Sequence, residues 1–351
     1  MTVKTFAAAI NDALAVAMEL DPGVICYGLG VDDPKGVFGT TLGLQQRFGP
    51  ERVFDMPTSE NAMTGIGIGA ALYGLKPVMT HQRLDFALLS MDQLVNNAAK
   101  WRFMFGGRRG VPLTVRMILG RGWGQGPTHS QNLQAWFGHV AGLKVVMPAT
   151  AEDAKGLLLS SIFDPDPVVF LEHRWLHSLR GDVPEGDHRV PIGKAWMLRE
   201  GSDLTIVAMS YMTIEAIHAV DHLAQQGIGC DLVDLRTIRP IDWPAIERSV
   251  ARTGRLLVLD SGNLTGSVSG EIVARIAADR WSSLRAAPRR LAMPDYPEAT
   301  SPSMTAGYHV RAEHIAKAIG EMLDREVDGD ALRGQRRHPH DVPGDWFSGP
   351  F

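Results

Sequence analysis

Two α/β domains in succession are what this sequence predicts, on three grounds. At 351 residues, with 45% hydrophobic and 21% charged side chains, the chain holds more apolar material than one core of ordinary size takes up. Short β-rich apolar runs alternate with segments of helical spacing, the pattern of a mainly parallel sheet flanked by helices. The alternation breaks between Ser178 and Arg189, where Gly181, Asp182, Pro184, Glu185, Gly186 and Asp187 crowd together, and then resumes. The expected divisions are therefore residues 1–185 and 186–326, followed by 327–351, whose Gly, Pro and His without periodicity read as an extended tail.

The elements follow in order. Asp12 and Glu19 interrupt the apolar pattern of the first twenty residues at helical spacing, unlike the apolar stretch of a signal peptide. VICYG at 24–28 is a strand, Glu60 to Tyr73 a helix, PVMT at 77–80 a strand, and Ala87 to Ala99 again of helical period. PLTVRMI at 112–118, a helix over 152–162 and PVVFLE at 167–172 complete the first series. The second runs LTIVAM at 204–209, a helix near 213–226, CDLVDL at 230–235, a helix from Pro244, RLLVLD at 255–260 and a helix after Ser267. It closes with a strand near 290 and a helix from about 311 to 324.

Composition removes several functions. A net charge of -4 offers no basic face to nucleic acid or an anionic membrane, and Arg333, Arg336 and Arg337 read as part of a solvated tail. No apolar run approaches the roughly 18 residues that a membrane-spanning helix needs. Cys26 and Cys230 are far apart and outside any C-x-x-C pattern, so neither a disulfide framework nor a zinc site is expected, and a reducing cytoplasm fits.

Three features bear on chemistry. GIGIGAALYG at 65–74 looks like a dinucleotide fingerprint, but its glycines lie inside the helix candidate rather than between a strand and a helix, so close packing through small residues is the better account. Glu60, in DMPTSENAMTGIGIGAAL, stands at the mouth of an apolar helix, as a capping group or a functional acid. His129 lies in RGWGQGPTHSQNLQAW, a glycine-rich loop after a strand, where ligands are commonly met, although a helix-capping role for it or Ser130 is equally open. His81, His139, His173 and His177 lack metal-ligand spacing, and H-E-x-x-H, G-x-S-x-G, P-loop and kinase patterns are missing.

Several long stretches in a fixed order carry a resemblance that no single motif would. RVFDMPTSE, GIGIGAALYGLKPV, MDQLVNNAAKWRFMFGG, THSQNLQAWFGHVAGLKVVMPATAEDAKGLLLSSI, DPVVFLE, DLRTIRPID and TGSVSGEIVARIA resemble the beta subunits of 2-oxo acid dehydrogenase E1 components, from about residue 3 to 324. The resemblance implies a pyrimidine-binding domain followed by a transketolase C-terminal-like domain, and a cofactor, thiamine diphosphate. Glu60 falls where the family places the glutamate that bonds the pyrimidine N1′, with Met63 and Ile66 expected as apolar shielding. Phe86 matches the aromatic that stacks on the pyrimidine, and its other reading is core packing. His129 matches the histidine that stabilises charge or moves a proton on the substrate side. The backbone of Leu113, Ser161, Ile162, Asp164 and Asp166 matches a loop that in some members holds a monovalent cation, K+.

The family holds the cofactor diphosphate through Mg2+ with a GDG motif and a later NN. This sequence has no GDG, so Asn96-Asn97 is not the end of that motif. A diphosphate needs a divalent cation and oxygen ligands, which the resemblance assigns to an alpha subunit in an α2β2 assembly. A lipoyl acyltransferase E2 is a further implied partner. Where many relatives read M-T-F-N-F, this chain reads MTHQRLDF, which puts His81, Arg83 and Asp85 near the cofactor pocket, and GPTH at 126–129 resembles transketolases. Half of a split transketolase moving two-carbon units and a non-catalytic scaffold are therefore the two alternative functions.

Overall fold

The computed structural model describes residues 1–347 and Gly349, and residues 348, 350 and 351 of the expected tail lie outside the described residues. The chain divides into two compact units, one of Met1–Arg121 with Thr128–Ile192, the other of Gly122–Pro127 with the residues from Gly193 onward.

The strands of the first unit are β1 (Thr2–Thr5), β2 (Val24–Gly28), β3 (Val53–Asp55), β4 (Lys76–His81), β5 (Thr114–Leu119), β6 (Lys144–Val146), β7 (Val168–His173) and β8 (Arg180–Val183). Within this unit β6-β7-β5-β4-β2-β3 lie side by side, each parallel to its neighbour. Every residue of β5 and β7 is buried, as expected where helices cover both faces of a parallel sheet. β1 and β8 form a separate antiparallel pair, with Thr2 opposite Val183. The polar stretch read as a boundary thus contains a strand. The first unit continues through Ile192 because Val190 is buried, its N–H donates to the Gly156 carbonyl (3.1 Å), and its carbonyl accepts from Ser160 Oγ (2.6 Å).

Helix Phe6–Leu20 starts on Thr5, whose hydroxyl accepts from Ala8 N–H, and helix Ala151–Ile162 starts on Thr150, which accepts from Asp153 N–H. The two helices pack together, and the wholly buried Lys155 joins them with a 2.8 Å ion pair to Asp12 and a 2.7 Å bond to the Pro184 carbonyl. Gly67, in helix Glu60–Leu72, lets the helix close on β2, because a Cβ there would stand 2.2 Å from Tyr27 Oη. The segment expected as one helix over 87–99 is in pieces: Leu84–Ala87, a 3-10 turn at Leu88–Ser90, a π-turn at Gln93–Ala98 and an α-helix at Ala99–Met104. Asn96 donates to Asp92 (2.7 Å) and Asn97 to Gln93 (2.9 Å) along the widened π-turn, a departure that hydrophobic period does not register.

The second unit holds β9 (Trp196–Arg199), β10 (Leu204–Ala208), β11 (Cys230–Asp234), β12 (Thr237–Arg239), β13 (Leu256–Asn263) and β14 (Arg289–Met293). Its sheet runs β14-β13-β10-β11-β9, parallel except for the antiparallel edge β9. Helices Tyr211–Ala224, Trp243–Thr253, Val268–Asp279 and Ala312–Leu323 accompany it. The stretch expected as extended tail includes helix Gly329–Gln335, which starts on Asp328 and lies against Ala312–Leu323. The buried Arg311 holds the chain beyond it, donating to the carbonyls of Val342 (3.1 Å) and Pro343 (3.0 Å). Among the described residues, no helix is long and apolar enough to cross a membrane.

Candidate active site

In parallel sheets, groups that meet ligands gather beyond the carboxyl ends of the strands. Glu60 opens the helix that follows β3, Phe86 lies in the short helix after β4, and His129 lies in the loop after β5.

The Glu60 side chain is 4% exposed. Its backbone carbonyl accepts from Thr64 Oγ1 (2.7 Å), but its carboxylate has no hydrogen-bond or ion-pair partner among the described residues. Met63 is half-buried beside it, whereas Ile66, expected as shielding, is 60% exposed because it lies on the outward face of the helix. Phe86 and His129 meet edge to face, with ring centroids 5.4 Å apart and planes at 87°. His129 Nδ1 is 3.0 Å from Thr128 Oγ1, and its Nε2 has no partner among the described residues.

The three departures from the family pattern also lie here. His81 ends β4, is buried, has no hydrogen-bond partner at Nε2 among the described residues, and is pushed down to about 4 by burial, so it is neutral near pH 7. Arg83 is buried and donates to the Gly120 carbonyl (3.0 Å) at the end of β5, while Gly120 N–H donates to the Gln131 carbonyl (3.2 Å). Gln131 Nε2 in turn donates to Asp85 Oδ1 (2.8 Å), and burial raises the Asp85 carboxyl against the opposing pull of that bond and of Arg83. The loop that carries His129 is therefore tied to the loop that carries Phe86.

Sequence reasoning missed Phe38 and Arg174. The guanidinium groups of Arg174 and Arg83 stand 4.4 Å and 6.0 Å from the Phe38 ring centroid, and burial, then the charge of Arg83, pushes Arg174 down to about 10. Arg174 follows β7 directly, and only the strand order, which sets β7 beside β5, brings it here, so the sequence carried no signal for it. Behind them Arg116 and Glu172, both fully buried, pair through two bonds of 2.7 and 3.0 Å, with His177 Nε2 3.3 Å from Glu172 Oε2. Burial would raise the Glu172 carboxyl, but Arg116 and His177 together hold it below the usual range.

Residues 3–178 match the model of the transketolase pyrimidine binding domain, and residues 193–315 that of the transketolase C-terminal domain. The chain is 38% identical over 326 residues to the beta subunit of 2-oxoisovalerate dehydrogenase from Bacillus subtilis, covering 92% of this chain and 100% of the relative. It is 38% identical over 331 residues to the mitochondrial pyruvate dehydrogenase E1 component subunit beta from Pisum sativum, covering 93% and 91%. The chain belongs to the E1 beta-subunit family.

Another E1 beta-type relative is the beta subunit of acetoin:2,6-dichlorophenolindophenol oxidoreductase from Cupriavidus necator, 40% identical over 325 residues, covering 90% of this chain and 96% of the relative. A split-gene transketolase, solved as an inactive beta4 tetramer, shares the fold at a TM-score of 0.74 and 20% identity, over 92% of this chain and 99% of that one. The loop expected to hold a monovalent cation lies at the amino ends of two neighbouring strands, since Leu113 precedes β5 and Ser161, Ile162, Asp164 and Asp166 precede β7. There the Leu113 carbonyl accepts from Val168 N–H, the Ser161 carbonyl accepts from Asp164 N–H, and Lys144 binds both oxygens of Asp164 at 2.7 Å. Among the described residues, no three His, Cys, Asp or Glu side chains group as a metal site.

Proposed function

We propose that this chain, joined to an alpha-type subunit, binds thiamine diphosphate, decarboxylates a 2-oxo acid and passes the acyl unit to lipoamide or another acceptor. The observation that carries the reading is Glu60, a buried carboxylate with no partner among the described residues, at the same end of the strands as the Phe86–His129 pair. An unshared buried carboxylate is costly, and it fits a group that brings a ring nitrogen to share its charge or a proton. When bound, thiamine diphosphate supplies the nucleophilic carbon and the electron sink for loss of CO2.

The chain's own residues do the rest. Glu60 would hold the pyrimidine by its ring nitrogen and share a proton there. The half-buried face of Phe86 would hold the flat heterocycle. His129, with Nδ1 engaged by Thr128, presents Nε2 to move a proton at a substrate oxygen. Mg2+ on the diphosphate would take its ligands from the alpha subunit, and K+ would sit on the loop of Leu113 and Ser161. The exposed Tyr73 (93%), Phe103 (90%) and Met104 (56%) support burial against other subunits, in an α2β2 assembly with docking to a lipoyl acyltransferase as a further step. The two free, buried thiols of Cys26 and Cys230 support a reducing compartment such as the cytoplasm.

Calorimetry of thiamine diphosphate with Mg2+, on the chain alone and with its alpha-type partner, tests this reading. Binding in the pair only, followed by CO2 release from a panel of 2-oxo acids, is the expected result. Equal binding to the chain alone would overturn the shared site.

A further inference from the structure

A groove in the second unit, distant in sequence from Glu60, Phe86 and His129, is lined by helix Ala312–Leu323, the residues before it from Thr305, and the tail helix Gly329–Gln335. Its volume is about 660 Å3, within the range of sites for small organic molecules. The tail helix lies beyond residues 193–315, which match the C-terminal domain model.

The lining is rich in donors. Lys317 from one helix and Arg333 from the other both line the groove, both are exposed, and neither has a hydrogen-bond or ion-pair partner among the described residues. His314 stands one turn before Lys317, and its Nδ1 accepts from the Arg311 N–H at 3.0 Å. Burial lowers the His314 pKa, so the ring is neutral at pH 7 and its one proton must sit on Nε2, which makes that atom a donor. Arg311 and Arg336 also line the groove but are engaged, by Glu215 at 3.2 Å and by Glu313 respectively. Four fixed cations stand against two carboxylates, Glu313 and Asp330.

We propose that this groove binds a phosphomonoester, its dianionic phosphate held by Lys317, Arg333 and His314 and its organic part filling the remaining volume. A phosphomonoester carries close to two negative charges at neutral pH and accepts several charge-assisted hydrogen bonds, which matches two free cations and one neutral donor. The phosphate bridges helix Ala312–Leu323 to the tail helix and so fastens the tail. Asp330, one turn from Arg333, opposes the ligand and sets a limit on its affinity.

The test uses the full chain, titrated calorimetrically with glucose 6-phosphate and with inorganic phosphate. Binding of glucose 6-phosphate is expected, weakened about tenfold by either Lys317→Gln or Arg333→Gln and tightened by Asp330→Asn, with circular dichroism unchanged because all three positions are exposed. Trypsin cleavage after Arg333, Arg336 and Arg337 should slow when the ligand is present. No heat with either probe at about 10 mM, or affinity unchanged in the Lys317→Gln/Arg333→Gln double variant, would overturn the proposal. Tighter binding of inorganic phosphate than of glucose 6-phosphate would overturn it too, because the groove would then serve the bare ion.

Discussion

Replacing Glu60 by Gln separates the two jobs a buried carboxylate can do. The side chain is 4% exposed and makes no ion pair among the described residues, so the amide keeps its shape and breaks no salt bridge there. An unsatisfied buried polar group costs about 1–3 kcal/mol, and more when charged. Removing the charge therefore recovers on the order of 1–2 kcal/mol. Against this, Glu60 is the first residue of its helix, where a negative charge contributes roughly 0.3–1 kcal/mol through the helix dipole. The balance is a gain of about 1 kcal/mol, or roughly 2–4 °C in Tm for a unit of this size. Turnover should fall about 10²–10⁴-fold if Glu60 shares a proton with the cofactor. Differential scanning calorimetry of the chain and CO2 release by the assembled enzyme measure the two effects. A variant that melts several degrees lower yet keeps most of its turnover would refute the reasoning and make Glu60 a helix-capping group.

Two glycines in one helix should respond with opposite signs: Gly67→Ala drives a Cβ to 2.2 Å from Tyr27 Oη and should cost about 1–3 kcal/mol. Gly69→Ala meets nothing within 4 Å and should stabilise the chain alone by up to about 1 kcal/mol; urea unfolding that gives both the same sign would disprove the packing account. His81 is lowered from 6.5 to about 4 in the fold, so the unfolded chain binds the proton first. Its contribution is complete above pH 6.5 and is lost as pH falls towards about 4, by roughly 3 kcal/mol, and His81→Leu should flatten the stability profile in that window. Burial pushes the thiols of Cys26 and Cys230 up to about 11 and about 12, so a thiol reagent at pH 8 should label neither until the chain unfolds; rapid labelling of the native chain would contradict the packing around them.

Alternation of apolar runs was enough to locate most long elements, because β5 and β7 are buried on both faces and helix Tyr211–Ala224 buries one full face. The three-residue strands β3 and β6 were not legible, since three residues carry no period and their place is fixed by neighbours distant in sequence. Glu60 and His129 stood out because a charged residue beside an apolar helix and a histidine in a glycine-rich loop are local signals. The grouping of Arg83, Arg174 and Phe38 left no such mark: it depends on β4 and β7 flanking β5, a strand order that spacing along the chain does not reveal. Helix Gly329–Gln335 was hidden by its length and by its lack of a buried residue.

The hold of Arg311 on the last residues bears on how this protein is handled at the bench. The aperiodic sequence beyond residue 326 invites trimming there, as though the remainder were packaging. That cut would take away the Val342 and Pro343 carbonyls and uncover a guanidinium that is 3% exposed while the tail is in place. The damage would fall on Glu215 and Tyr211, which share that guanidinium in the interior of the second unit, so a loss of solubility in trimmed material would report a core defect rather than a missing appendage.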